Sequence, residues 1–398
     1  MSADIYSNLG AFLTNWRDNK SYFEMLQLMA SISKLFSESS TPYLDYRLTE
    51  NLFCKYYNAQ NDARSCTAYD ARLANLGIGI KTFIIKNGAS LEKVAEFNKL
   101  KPTLDGLSGI KLARQIAQFR NDRIEFSNNT YNVNETQYHI VGRQEGCLKV
   151  FNTPYDKIDI EAICNVKDKE ASISFNDGKN EYTFSKSKSV LMKRFILPLD
   201  YVNVPVSILN EPLELLAKLL IPSETGISAI TPTTATASKG ADYVILPLYS
   251  RKGKNGARYV PERSGLNQWH AGGRRRDANE IYIPIPRIIH KLYPDFFPSR
   301  DCPFELVLPD GNTMTAKVCQ DGSKALMSNP NAALGEWLLR KVLRKPEGEL
   351  LTINDLDTYG IDSVKIISTH ESNNYGVPIY KIVFTNSDYE DYTTFIED

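Results

Sequence analysis

Apolar positions first recur at helical spacing, where Tyr22, Met25, Leu26, Met29, Ile32 and Leu35 share one face of a predicted helix. A Ser/Thr/Pro break at 39–42 precedes a second helix or helical pair over 43–57. Alternating and apolar runs in "TAYDARLANLGIGIKTFII" (67–85) predict two strands joined by a tight turn. "SLEKVAEFNKL" predicts a helix from Ser90, on its N-cap serine, acidic first turn and apolar spacing. "GIKLARQIAQFRNDRIEF" predicts another, and from about 137 to 197 the pattern is β-rich. Residues 222–240, poor in charge and rich in Ser, Thr, Ala and Pro, mark a linker between a first domain (1–221) and a second (241–398). Strand patterns resume after it, interrupted by one predicted helix, "ALGEWLLRKVL".

Composition narrows the class of protein. Six cysteines lie far apart with no C-x-x-C, which argues against a zinc module and a secreted disulfide scaffold. No cationic-then-apolar leader opens the chain and no long uncharged apolar run follows, so a cytoplasmic protein without membrane attachment is expected. The 47 basic and 47 acidic residues cancel, but the cancellation is uneven. Within 251–276, eight Lys and Arg residues face the single acid Glu262, a local charge of +7 among several glycines. Such a cluster suits a phosphate-binding surface or a solvated loop, and charge alone leaves both open.

"SGLNQW", "IYIPIP" and "LGEWLLR", in that order, give the segment from about 242 to 385 its character. It resembles the DNA-binding pseudobarrel of restriction enzymes of the NgoFVII, BfiI and EcoRII kind, a fold shared with a group of plant transcription factors. The resemblance implies two arms gripping the major groove. Arg251, Arg258, Ser264, Asn267, Trp269, His270, Arg274 and Arg276 are expected on the first arm, and Gln320, Lys324 and Asn329 on the second. Arg and Lys suit phosphates and guanine edges, and Asn and Gln suit adenine edges. Trp337 and its leucines are expected in the core, and Trp269 has packing beneath the arm as its alternative.

Many such pseudobarrels accompany a phospholipase-D-like nuclease that needs H-x-K. The four histidines here read H-I-V, H-A-G, H-K-L and H-E-S, so that chemistry is not expected. "AYDARLANLGIGIKTF" instead resembles the core of the PD-(D/E)XK nucleases, with Asp70 ending one strand and Lys81 on the next. The resemblance implies an aspartate on Mg²⁺ and a lysine that orients or helps deprotonate the attacking water and stabilises charge on phosphorus. One departure stands out, because Gly79 occupies the acid position two residues before the lysine. Related enzymes move that carboxylate to the following helix, which makes Glu96 the first candidate and Asp70 with Glu96 the expected metal ligands. Glu50, in the preceding helix, is the second candidate and Glu92 the third. Asp177-Gly-Lys179, a literal D-x-K, reads as a hairpin turn, and Lys186, Lys188, Lys193 and Arg194 offer a possible phosphate-contacting group or an exposed face.

The expected architecture is therefore an α/β nuclease domain of PD-(D/E)XK type, a mixed sheet flanked by helices, followed by a mainly-β DNA-binding pseudobarrel. The expected function is that of a Mg²⁺-dependent Type II restriction endonuclease acting on double-stranded DNA. A cognate DNA methyltransferase is its genetic partner, and a homodimer is left open. The alternative is a non-catalytic sequence-specific DNA-binding regulator, which the missing acid at Gly79 favours.

Overall fold

The computed structural model describes residues 9–63, 66–220, 243–252 and 256–386, together with Tyr389. The predicted linker 222–240 lies outside the described residues, as does Lys254 of the basic cluster. The chain forms two compact units, one of 1–121 with 133–236 and one of 122–132 with 237–398.

In the first unit, Asp45 starts the helix Tyr46–Tyr57 by accepting the Arg47 and Leu48 amides, and Asn58 ends it at φ 53°. Phe53 and Tyr57 of this helix pack with Tyr22 and Leu26 of the helix Lys20–Ser31 in one apolar core. The strands that follow are β1 (Gln60–Asn61), β2 (Ala71–Leu73), β3 (Leu76–Ile84), β4 (Ala89–Glu96), β5 (Glu135–Gln144), β6 (Cys147–Pro154), β7 (Cys164–Asp168), β8 (Ser172–Asn176), β9 (Glu181–Ser185), β10 (Val190–Ile196) and β11 (Val202–Pro205). They make a mixed sheet ordered β1-β2-β3-β5-β6-β11 and a second sheet ordered β4-β10-β9-β8-β7. The helix Gly109–Tyr131 stands between β4 and β5 in the chain, and β5 returns parallel to β3.

The segment from Ser90 is a strand, not the predicted helix. Seven residues of β10 pair antiparallel along β4 with a bulge at Leu191/Met192, so sheet pairing overrides the local helical pattern. Ser90 caps nothing here and bonds the Glu92 carboxylate instead. The D-x-K segment is the expected turn, with Asp177 accepting the Lys179 and Asn180 amides between β8 and β9.

His139 on β5 is wholly buried among Trp16, Tyr22, Phe53 and Tyr57. Its ring nitrogens meet the Tyr22 hydroxyl at 2.9 Å and the Asn152 Oδ1 at 2.7 Å. Burial pushes its pKa down from 6.5 to about 4, against the Asn152 hydrogen bond. The folded pKa lies below the unfolded value, so the stability His139 confers is complete above about pH 6.5 and is lost as pH falls towards 4. The loss is on the order of 3 kcal/mol at one unit per 1.36 kcal/mol. Urea titrations across this window are expected to show a shallower acid decline for His139→Gln than for the wild type.

The second unit carries β12 (Tyr243–Pro247), β13 (Ser250–Arg251), β14 (Arg258–Tyr259), β15 (Ile283–Pro284), β16 (Pro303–Val307), β17 (Thr313–Cys319), β18 (Ala325–Ser328), β19 (Ser363–Ser372) and β20 (Pro378–Thr385). Seven of them form a half-barrel sheet ordered β12-β19-β20-β16-β17-β18-β15, and β13 and β14 pair as a separate small hairpin. Ile281, Ile283 and Ile285 alternate into the core, which accounts for "IYIPIP". The predicted helix 333–343 is present as Ala333–Gly335 continuing into π-helical Glu336–Val342, and Trp337 is buried against Phe384 as expected.

Candidate functional site

Asp70 lies just before β2, and its Oδ2 accepts the Ile80 amide at 2.7 Å and Lys81 Nζ at 3.4 Å. The first bond ties the aspartate to the neighbouring strand, and the second pairs the two side chains singled out by spacing. Burial opposes the charge on Lys81, but Asp70, Tyr138 and Glu50 outweigh it and raise its pKa, so the lysine is held as a cation. Glu50 reaches the same place from the helix Tyr46–Tyr57. Its carboxyl is raised by burial first and by repulsion from Asp70 second, while Arg47, at 3.0 Å, and Lys81 pull it down. Two carboxylates close enough to repel, beside a cation, form a set of hard oxygen donors suited to a small divalent ion completed by phosphate and water. Among the described residues no group of three or more His, Cys, Asp or Glu is gathered as a ready-made metal cage.

The structure gives a steric reason for Gly79. Gly79 pairs with Tyr138 across β3 and β5, and Tyr138 stacks on Tyr155 with ring centroids 4.1 Å apart. A Cβ at Gly79 would lie 2.8 Å from both rings, and one at Gly77 would lie 2.6 Å from Tyr69, which packs on Tyr155 in turn. The strand passes beneath an aromatic layer that leaves position 79 no room for a carboxylate. Arg120, fully buried, backs this layer by bonding Asp156 O at 2.8 Å and lying over the Tyr155 ring.

Glu96, the first candidate for the displaced acid, stands at the end of β4 rather than on a helix, where Lys93 and Asn98 bond its carboxylate. Sheet pairing with β10 thus removes the premise on which Glu96 was preferred. Glu92 is within electrostatic reach of Lys81 and Arg143, and burial raises its carboxyl. The basic run 185–195 does not form one surface. Lys193 is buried against Tyr138 and Phe195 with its pKa lowered by burial to about 8, Lys186 pairs with Asp168, and Arg194 lies 3.6 Å from Glu181.

In the second unit, the arm residues divide into those that build the arm and those it presents. Asn267 is wholly buried, with Nδ2 on Leu351 O at 2.9 Å and on Pro261 O at 3.1 Å, and its Oδ1 accepts the Leu351 amide. It is a scaffold bracket, not the expected adenine reader. Arg258 is likewise withdrawn, because Asp357 takes its guanidinium at 2.8 and 3.1 Å and Asp362 lies at 4.0 Å. Arg276 turns back onto Ala271 O and Gly272 O at 2.6 and 2.9 Å. Arg274 is exposed but engaged by Glu280. Arg251 bonds Gly256 O at 3.1 Å from the β13 side of the hairpin, and Trp269 is half-buried. Ser264 immediately precedes the short helix Gly265–His270, and His270 is exposed and meets Glu262 O at 3.1 Å.

Gln320, at φ 67°, and Asn329 flank the turn and strand from Asp321 to Ser328, and Lys324 lies between that turn and strand, with Lys324 and Asn329 exposed. His290 Nε2 meets Ser323 O in this loop at 2.8 Å. Arg263 and Arg275, counted in the basic run but not among the arm residues singled out, are exposed and have no carboxylate partner among the described residues. Only the basic run itself could have pointed to them.

Residues 244–370 match the family described as the NgoFVII C-terminal B3-like DNA-binding domain. The second unit is thus similar to a DNA-binding domain of restriction-enzyme type, and DNA is the partner that such a domain implies. No curated protein matches the chain. Among the described residues no helix is long and apolar enough to cross a membrane.

Proposed function

We propose that the chain is a Mg²⁺-dependent site-specific deoxyribonuclease of the Type II restriction kind, cutting double-stranded DNA with its first unit and reading it with its second. The observation that carries the reading is the meeting of Glu50, Asp70 and Lys81, three elements apart in sequence, in a chain that also bears a restriction-enzyme-type DNA-binding domain. Asp70 and Glu50 would hold Mg²⁺; Asp70 Oδ2 serves Ile80 and Lys81, while its other oxygen faces no donor among the described residues. When bound, the ion supplies Lewis-acid polarisation of the scissile phosphate and a more acidic water. Lys81, with its Nζ 3.4 Å from Asp70 Oδ2, stabilises negative charge building on the phosphoryl oxygens. The Ile80 amide fixes the Asp70 carboxylate, so its orientation is set before substrate arrives.

Glu50 takes the part that the sequence pattern offered first to Glu96. Glu50→Gln is expected to slow cleavage of plasmid DNA by about a hundredfold, the lower range for loss of one preorganised electrostatic group. Glu96→Gln, at the end of β4, is expected to cleave within about threefold of the wild type. The reverse ranking would reinstate Glu96 and remove Glu50 from the centre.

A further inference from the structure

We infer that Glu280 is the positioning residue of the DNA-reading arm, acting through Arg274 and Arg276 so that Arg275, between them, is presented outward to DNA; this rests on the DNA-reading role proposed above. The arm 271–276 is a weak structure by itself. It contains Gly272 and Gly273, the latter at φ 96°, and belongs to neither the half-barrel sheet nor the β13/β14 hairpin. Its three consecutive arginines would repel one another if all faced the same way.

Of the outer two, Arg276 is turned inward, and Arg274, though its side chain is 56% exposed, is held by Glu280. Arg276, only 12% exposed, spans Ala271 O, Gly272 O and Arg274 O, and its Nε lies 3.5 Å from Glu280. Arg274 closes on both Glu280 oxygens, with Nη1 at 3.0 Å from Oε2. Glu280 is 6% exposed, so its charge is spent on these two cations in a setting little screened by water. Arg275 remains exposed between them, its backbone fixed on both sides.

Glu280 can hold the arm because its own backbone is anchored. Arg340 bonds Asn279 Oδ1 at 2.7 Å and Ala278 O at 2.8 Å from the helical segment 333–342. Gly335 in that segment lies so close that a Cβ would come within 2.0 Å of Asn279 O. Ile281, the next residue, is buried in the core. "LGEWLLR" therefore supplies the anchor, Glu280 the link, and the arginine run the surface.

A purely structural role and a positioning role make opposite demands on non-specific binding. Loss of the Glu280 charge frees two arginines, so sequence discrimination should fall while affinity for any DNA is kept or increased. The test uses the full-length protein in EDTA, a fluorescein-labelled duplex recovered by the wild type from a randomised library, and a scrambled duplex of the same composition. Glu280→Gln is expected to weaken binding to the recovered duplex about tenfold, with scrambled binding unchanged or tighter. Arg274→Ala added to Glu280→Gln is expected to cost less than it does alone, since both act through one pair. Glu280→Asp, which keeps the charge, is expected to restore most of the preference. Wild-type preference in Glu280→Gln, or equal weakening on both duplexes, overturns the positioning role while leaving the DNA-reading function standing. A wild type that recovers no preferred duplex overturns that function and this inference with it.

Discussion

Lys81→Ala is expected to lower the rate of DNA cleavage by about two to three orders of magnitude while leaving duplex binding within about twofold. The size follows from removing a preorganised cation from the place where phosphoryl charge develops. The selectivity follows from position, since Lys81 belongs to the first unit and the matched DNA-binding domain to the second. The lysine also bonds Asp70, but the Ile80 amide bonds the same oxygen more closely, so the carboxylate keeps its orientation when the lysine is removed. Single-turnover cleavage rates and filter binding in EDTA measure the two quantities separately. Equal loss of both would make Lys81 a structural group.

Gly79→Glu, which writes the missing motif acid back into the strand, is expected to destabilise the protein by about 3 kcal/mol or more and to restore nothing. The added Cβ alone meets Tyr138 and Tyr155 at 2.8 Å, and both rings are held by their own packing. Overpacking of this kind costs about 1–3 kcal/mol, and a carboxylate forced among buried rings adds its desolvation. Urea midpoints would show the loss. A variant as stable as the wild type and faster in cleavage would mean that the aromatic layer yields and that the site accepts its acid there.

Much of this architecture is legible in the sequence where local chemistry and tertiary environment agree. Asp45, its first-turn amides and the apolar face of 46–57 specify a helix without reference to the rest of the chain. Asp70 and Lys81 meet as their spacing predicts, because the short β2/β3 hairpin fixes their separation. The segment from Ser90 was not legible, because its residues fit a helix locally and only β10, far downstream, makes them a strand. The preference for Glu96 among the candidate carboxylates rested on that helix. The glycine at position 79 was visible, but its reason was not, since Tyr138 and Tyr155 belong to β5 and to the segment after β6.

The arm shows the same limit in another form. Residue type announces a basic surface, whereas partners distant in sequence decide which cations remain available. Asp357 withdraws Arg258, Leu351 fixes Asn267, and Glu280 holds Arg274, while Arg263 and Arg275 meet no carboxylate among the described residues. The motifs that mark the resemblance most strongly, "SGLNQW", "IYIPIP" and "LGEWLLR", contribute buried joints: Asn267 on Leu351, the alternating isoleucines, and Gly335 with Arg340 on the base of the arm. Scaffold residues are recognisable from sequence because packing constrains their type and spacing together.

The most direct measurement is digestion of unmethylated phage DNA by the purified wild type and by Asp70→Ala, each with Mg²⁺ and with EDTA. The account predicts discrete fragments from the wild type in Mg²⁺ alone and intact DNA in the other three lanes. Fragments of the same pattern from Asp70→Ala would contradict it, as would intact DNA in every lane from a wild type that still binds a preferred duplex.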